Sequence, residues 1–390
     1  MTPSEKYVFE LSKKSFLPFW SFPNPIGKKG KELCDVLVIC EDIVIIISVK
    51  EIKPSKSKDI NVQYERWVKK AIYDSSDQIH GAERFIKTQR KILLKDNKTW
   101  IDLPHVSNMK IYRIAIAFGS PNIFPLPTGN FGKGFVHVFD EQSTFTILQE
   151  LDTISDFVNY LEAKEKFFNG RTIQASTELD FLAFYIQTGF DIDPKVDSIV
   201  IDKEMWNSYQ KSKDYYEWRE KIKGSYFWDN MINHLYNYHI VSNESSVKRE
   251  ELEEAIRKIN LETRIDRIEL GIILKNAQVS NVKARMIQAP TNKKHSYVFM
   301  NLNEKNWDYK ETELKLRCDV ARVLNPNTKI IIGIAIGEND KGESYFDIAY
   351  LNMPEISEDF KNYVKKVQNE LGYFKNPVFS HSKDIRQNDL

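Results

Sequence analysis

An aspartate and a lysine bracket the most apolar stretch of the chain. Asp35 opens it, Lys50 follows its last residue Val49, and only Glu41 and Asp42 interrupt it. The Val- and Ile-rich segments 33–40 and 43–49, joined by two residues, predict an antiparallel hairpin. Such a hairpin returns the chain so that Asp35 and Lys50 meet at one end of a sheet. Alternation along the second strand places Ser48 with Lys50 on one face and Val49 with Glu51 on the other. Upstream, Glu5 lies on a predicted helix and Glu32 just precedes Asp35, so that two or three carboxylates converge. Carboxylate oxygens suit a hard cation such as Mg²⁺ or Mn²⁺, and a neighbouring ammonium stabilises developing charge or helps to deprotonate water. Hydrolysis of a phosphodiester needs that set of groups.

These residues resemble the PD-(D/E)xK nuclease superfamily, which includes many restriction enzymes and archaeal Holliday-junction resolvases, over residues 4–50. In that pattern a helix glutamate is followed by an Asp on the second core strand and then by an acid-x-Lys signature at the end of the third. The matching positions here are Glu5, Asp35 and Ser48-Val49-Lys50. The resemblance implies Glu5, Asp35, Ser48 and Lys50 as catalytic residues, and Mg²⁺ or Mn²⁺ held by Asp35, Glu5 and Glu32. It departs at Ser48, where the family usually has Asp, Glu or sometimes Gln. A hydroxyl is a weaker ligand for a hard cation, so either Glu32 or Glu51 takes over the role, or the fold survives as a catalytically degenerate nucleic-acid- or protein-binding subunit. Each residue also has an ordinary alternative. Asp35 is then a strand-end carboxylate, Lys50 an exposed strand-end lysine, and Glu5 a first-turn glutamate favoured by the helix dipole. Glu10 competes with Glu5 for the helix role.

The segment 63–91 repeats Trp67, Ala71, Ile72, Ile79, Ala82, Phe85 and Ile86 on one face, which predicts a long amphipathic helix. Arg66, Lys69 and Lys70 on its other faces suit phosphate neutralisation. Gln78 resembles the helix glutamine that some superfamily members place beside the metal. Together these four are the expected nucleic-acid-binding set, with DNA favoured over RNA. A solvated basic face is the alternative, and His80 reads as a packed histidine.

Around these residues the expected class is α/β. A restriction-endonuclease-like mixed sheet flanked by helices occupies 1–170, with a first helix at 4–16 capped by Ser4, loop at 18–31 and further strands at 109–118 and 134–139. A mainly helical, aromatic-rich middle region follows at 171–280. There Tyr209, Tyr215, Tyr216, Trp218, Tyr226, Phe227 and Trp228 crowd together and are expected to pack rather than to stack on bases. A smaller C-terminal α/β domain closes the chain at 281–390, with strands at 297–302, 329–336 and 345–351 and helices at 309–323 and 357–371. One of its helices carries Lys310, Arg317, Asp319 and Arg322 without suggesting any chemistry.

Composition bounds the rest. With 390 residues the chain exceeds one comfortable core. Its 56 basic and 55 acidic groups leave a formal charge of +1, so any nucleic-acid contact is local. Cys34, Cys40 and Cys318 have no metal-ligand spacing, which fits a reducing cytoplasm. The first residues lack the pattern of a secretory signal, and no run has the length and purity of a membrane span. A phosphate-binding glycine loop and a nucleophile elbow are both missing. His234 and His239 are five apart, off the spacing that pairs imidazoles on a zinc-binding helix face. The added regions are expected to supply a protein-partner or sensing surface, by analogy with effector nucleases of bacterial defence.

Overall fold

A computed structural model describes residues 1–119, 124–241, 248–279, 282–288, 294–302, 308–338 and 341–375. The chain divides into two compact units, Met1–Lys221 and Ile222–Leu390. The expected middle region is apportioned between them, 171–221 to the first and 222–280 to the second.

The first unit opens with helix α1 (Pro3–Phe16), whose N-cap is Thr2 rather than Ser4. The Thr2 hydroxyl accepts from the Glu5 N–H at 3.3 Å and the Glu5 carboxylate accepts from the Thr2 N–H at 2.9 Å. This capping box lets Pro3 take the first helical position, where its missing N–H costs nothing. The stretch predicted as loop contains a short strand, β1 (Ser21–Pro23). Pro23 is tolerated there because β1 is the edge of the sheet.

The predicted hairpin is present as β2 (Val36–Cys40) and β3 (Ile43–Glu51), with Glu41 at a left-handed φ of 54° in the turn. Their register pairs Val36 with Ile47, so Asp35 stands opposite Ser48, one step beyond the ladder. From β3 the chain crosses over through α2 (Ile60–Val68), a π turn (Lys69–Tyr73) and α3 (Asp74–Ile86). The helix expected to reach Lys91 therefore stops earlier. Residues 91–93 form β4 (Lys91–Leu93), which pairs with β5 (Trp100–Asp102). The turn between them is built by Asp96, whose carboxylate accepts from the N–H groups of Lys98 and Thr99, both at 2.9 Å.

Strand β6 (Lys110–Phe118) then lies parallel to β3, and β8 (Phe135–Asp140) lies parallel to β6, with β7 (Gly129–Asn130) on the outer edge. The six-stranded order is β1-β2-β3-β6-β8-β7. On one face Leu37, Ile39, Val44, Ile46, Ala115 and Val138 pack beneath Trp67, Ala71, Ile72, Ile79 and Ile86. Helix α1 packs against β2 and β3, bringing buried Val8 and Phe16. After β8 come α4 (Glu141–Glu150), α5 (Ile154–Phe168), β9 (Thr172–Gln174), α6 (Glu178–Thr188), β10 (Ser198–Val200), α7 (Met205–Gln210) and α8 (Lys213–Lys221). Strands β9 and β10 form a separate parallel pair.

The second unit begins with α9 (Tyr226–Leu235), α10 (Arg249–Asn260) and α11 (Arg264–Val279). A four-stranded sheet follows in the order β11 (Ala284–Gln288), β12 (His295–Asn301), β13 (Ile330–Glu338), β14 (Ser344–Asn352). Helix α12 (Lys310–Leu324) makes the crossover between the parallel strands β12 and β13, and α13 (Glu358–Leu371) packs on α12. Gly333 sets how closely α12 approaches, because a Cβ there would lie 2.7 Å from the Cys318 sulfur and 2.8 Å from Leu314. All five predicted C-terminal elements sit within two residues of their predicted bounds, and β11 is an addition.

Candidate active site

Asp35 is held from three directions. Its N–H donates to Ile47 O at 3.1 Å, its carbonyl accepts from Asn24 N–H at 3.0 Å, and its Oδ2 accepts from Val49 N–H at 2.5 Å. The residue is only 3% exposed. Burial raises its pKa, the Val49 N–H lowers it, the neighbouring Glu32 carboxyl raises it, Lys50 lowers it and Glu5 raises it, leaving it pushed up to about 6.

The expected residues occupy different situations around this carboxyl. Lys50 is half-buried at the end of β3, and among the described residues it makes no salt bridge to any acid, Asp35 included. Glu32 is exposed, next to a bridge that pairs its backbone with Ile26. Ser48 is fully buried, and its hydroxyl donates to Gln78 Oε1 at 3.2 Å. The structure therefore brings Gln78, from α3, to the position where the resemblance expects an acid. Glu5 fills the helix-cap role described above while still contributing its charge at Asp35. Glu51 is exposed on β3, and Glu10 is exposed and paired with Lys13 at 2.8 Å on its own helix.

Arg66, Lys69 and Lys70 are exposed on α2 and the π turn. The helix that carries them is pinned over the chain leaving β3 by the Trp67 indole N–H, which donates to Ile52 O at 2.9 Å. A π turn inside a helix is often found at functional sites. His80 is a packed histidine, 3% exposed, whose pKa burial and Arg113 depress.

Sequence reasoning missed Glu83. Its carboxylate takes Arg113 in a two-pronged contact, Nε to Oε2 at 2.6 Å and Nη2 to Oε1 at 2.7 Å, and Lys87 at 2.7 Å. Burial opposes its ionisation, but Arg113 and Lys87 win and hold it at about 2. The available signal was an acid one residue after Ala82 on the apolar face of the predicted helix.

The aromatic crowd packs in part. Tyr209 and Trp228 are buried, whereas Tyr216 and Tyr226 are exposed. His234 is half-buried against Tyr238 and Phe346, and the side chain of His239 lies outside the described residues. On α12, Arg322 is 1% exposed and donates from Nε to Met353 O at 2.8 Å, while Arg317 pairs with Glu313 at 2.6 Å. Both are structural.

Among the described residues no group of three or more His, Cys, Asp or Glu side chains is arranged to hold a metal ion, and no helix is long and apolar enough to cross a membrane. Set against known proteins, the chain matches no protein-family model, no curated protein and no solved structure.

Proposed function

We propose that this chain is a Mg²⁺- or Mn²⁺-dependent nuclease of the PD-(D/E)xK type that hydrolyses phosphodiester bonds in DNA, with its site where Asp35 precedes β2 and Lys50 lies one residue before the end of β3. The observation that carries the reading is one buried carboxylate at the sheet end: Asp35, fixed by the Val49 N–H at 2.5 Å, stands opposite Ser48 in the hairpin that carries Lys50. Element order supports it too, with Glu5 on the first helix, Asp35 at the second strand and Ser48-Val49-Lys50 in the third.

Carboxylates are the ligands that a hard divalent cation prefers. Asp35 and Glu32 would hold it, and two carboxylates suffice for an ion that keeps several waters. When bound it would supply Lewis-acid polarisation of the phosphate and a water of lowered pKa. Asp35, fixed by the Val49 N–H, presents its carboxylate from one place. Lys50, which makes no salt bridge among the described residues, offers an ammonium to the phosphate or the attacking water. Ser48 adds no charge, so the anionic character of the site rests on Asp35 and Glu32. Arg66, Lys69 and Lys70 would neutralise flanking phosphates.

The test is cleavage of plasmid and single-stranded DNA and of RNA with Mg²⁺ or Mn²⁺. Asp35→Ala, Glu32→Ala and Lys50→Ala, each confirmed as folded, are expected to lose at least about 100-fold in rate. A folded wild type that cuts none of these substrates under either metal sinks the reading.

Ser48 favours a second reading, a catalytically degenerate nucleic-acid- or protein-binding subunit. Its hydroxyl is fully buried and engaged by Gln78 at the position of the expected acid. That subunit would retard nucleic acid or capture a protein partner with or without metal, and cut nothing.

A further inference from the structure

The β4–β5 hairpin is tied to the chain that leads into the candidate site. Ile26 pairs with Leu93 on one side, its N–H donating to Leu93 O at 2.8 Å, and with Glu32 on the other. Leu93 in turn pairs with Trp100. Glu32, Ile26, Leu93 and Trp100 therefore form one row across four adjacent extended segments, and residues opposite one another in antiparallel pairing share a face. At about 4.8 Å per step, the backbones of Glu32 and Trp100 stand about 14 Å apart. The other face is spent on the core, where Leu33, Ile92 and Ile101 pack. The row's own face is turned outward: Trp100 is 58% exposed and makes no ring contact among the described residues.

A single exposed ring is ordinary by itself, but this one is surrounded by charge. Residues 27–32 and 90–102 carry seven basic side chains against three acidic ones, in a chain whose formal charge is only +1. Asp102 is matched by Lys91 at 3.0 Å. Asp96 is turned into its own loop, where the Thr99 hydroxyl and the N–H groups of Lys98 and Thr99 surround it. Lys28, Lys29, Lys31, Lys95 and Lys98 are exposed and form no ion pair among the described residues. Because the segment at Ile26 runs antiparallel to β4, the turn with Lys28 and Lys29 closes one end of the face and the turn with Lys95 and Lys98 closes the other. The ring lies between two groups of ammonium ions. Lysines meet phosphates as point charges, and an unpaired base stacks on an indole face, whereas a duplex keeps its bases in its own stack.

We propose that this face is a platform for single-stranded DNA, on which Trp100 stacks one base and the lysines of the two turns hold the phosphates on either side of it. The inference deepens the reading above and rests on it for the DNA and for the place of Glu32 at the site, but not on cleavage. A strand engaged at Glu32 reaches Trp100 within a few nucleotides, so the platform would set which stretch of the strand lies at the site.

The test is fluorescence anisotropy of the full chain with a labelled mixed-sequence DNA oligonucleotide, as a single strand and as its duplex, in EDTA so that no metal-dependent cut occurs. The single strand is expected to bind at least about tenfold more tightly than the duplex. Trp100→Ala is expected to weaken single-strand binding by at least about fivefold, and Trp100→Phe, which keeps a stacking face, to retain most of it. Lys95→Gln combined with Lys98→Gln is expected to lower the slope of log K against log salt by about 1.4, the share of two phosphates on a single strand. Absent single-strand binding, a duplex bound as tightly, an RNA strand of the same sequence bound in preference to DNA, or binding unchanged in folded Trp100→Ala each overturns the proposal. A wild type that holds single strands through Trp100 but cuts nothing under either metal keeps the platform and removes the nuclease, whereas cleavage by a wild type whose binding ignores Trp100→Ala does the reverse.

Discussion

Asp319 shows how burial alone can set a proton. On α12 it is 6% exposed, and burial pushes its carboxyl up to about 6 with only Lys315 opposing. The folded state keeps a proton that the unfolded chain releases near its ordinary value of 3.8. The sign follows: this stability is fully present below the unfolded value and is lost as pH rises through about 6. Asp319→Asn is therefore expected to stabilise the second unit at slightly alkaline pH, by on the order of 1 to 3 kcal/mol, and to change little at pH near 4. Urea unfolding at both values checks this, and an equal effect at both would remove the ionisation cost as its cause. The candidate site was legible to a similarly local degree. Asp35 and Lys50 could be brought together on paper because a two-residue turn fixes hairpin register. The Ser48–Gln78 contact could not be derived that way, because it spans 30 residues and depends on how a helix with a π turn is rotated over the sheet.

That rotation is an element-scale property, and Glu83 is one of the groups that hold it. From α3 it ties the helix to β6 through Arg113, with both side chains largely shielded at 8% and 16% exposure. Replacing the carboxylate leaves the largely shielded guanidinium without its counter-charge, so Glu83→Gln is expected to cost about 3 kcal/mol and to lower the melting temperature by roughly 6 to 12 °C. Because Glu83 is depressed to about 2, its contribution is present above the unfolded value of 4.5 and lost as pH falls through about 2. Thermal melts should show the gap between variant and wild type closing over that window. A gap that persists in acid would assign the effect to packing. Elements with a full hydrophobic period were readable from the sequence, as β3, β6, β13 and α13 show. The short strands β1, β4, β5, β9 and β10 were not, because three residues are too few to display an alternation.

At the scale of the whole molecule, composition predicted more than one core but not where the boundary falls. The aromatic-rich stretch looked like a region of its own, yet its members have different partners. Tyr215 donates to Glu150 at 3.2 Å in the first unit, while Trp228 packs edge-on to Tyr297 in the second. Clustering along the sequence carries no information about such partners. The core beneath α2 and α3 is drawn entirely from residues 33–138, and Arg219, at the end of the first unit, lies 3.7 Å from Glu150. A fragment of residues 1–221 thus contains the apolar core, its closing ion pair and every residue assigned to the proposed site. Expressed alone, it is expected to melt cooperatively by circular dichroism and to retain metal-dependent cleavage abolished by Asp35→Ala. A folded fragment that no longer cuts where the full chain does would place a substrate-binding or activating contribution beyond residue 221. An unfolded fragment would mean that the first core does not suffice alone, whatever its chemistry.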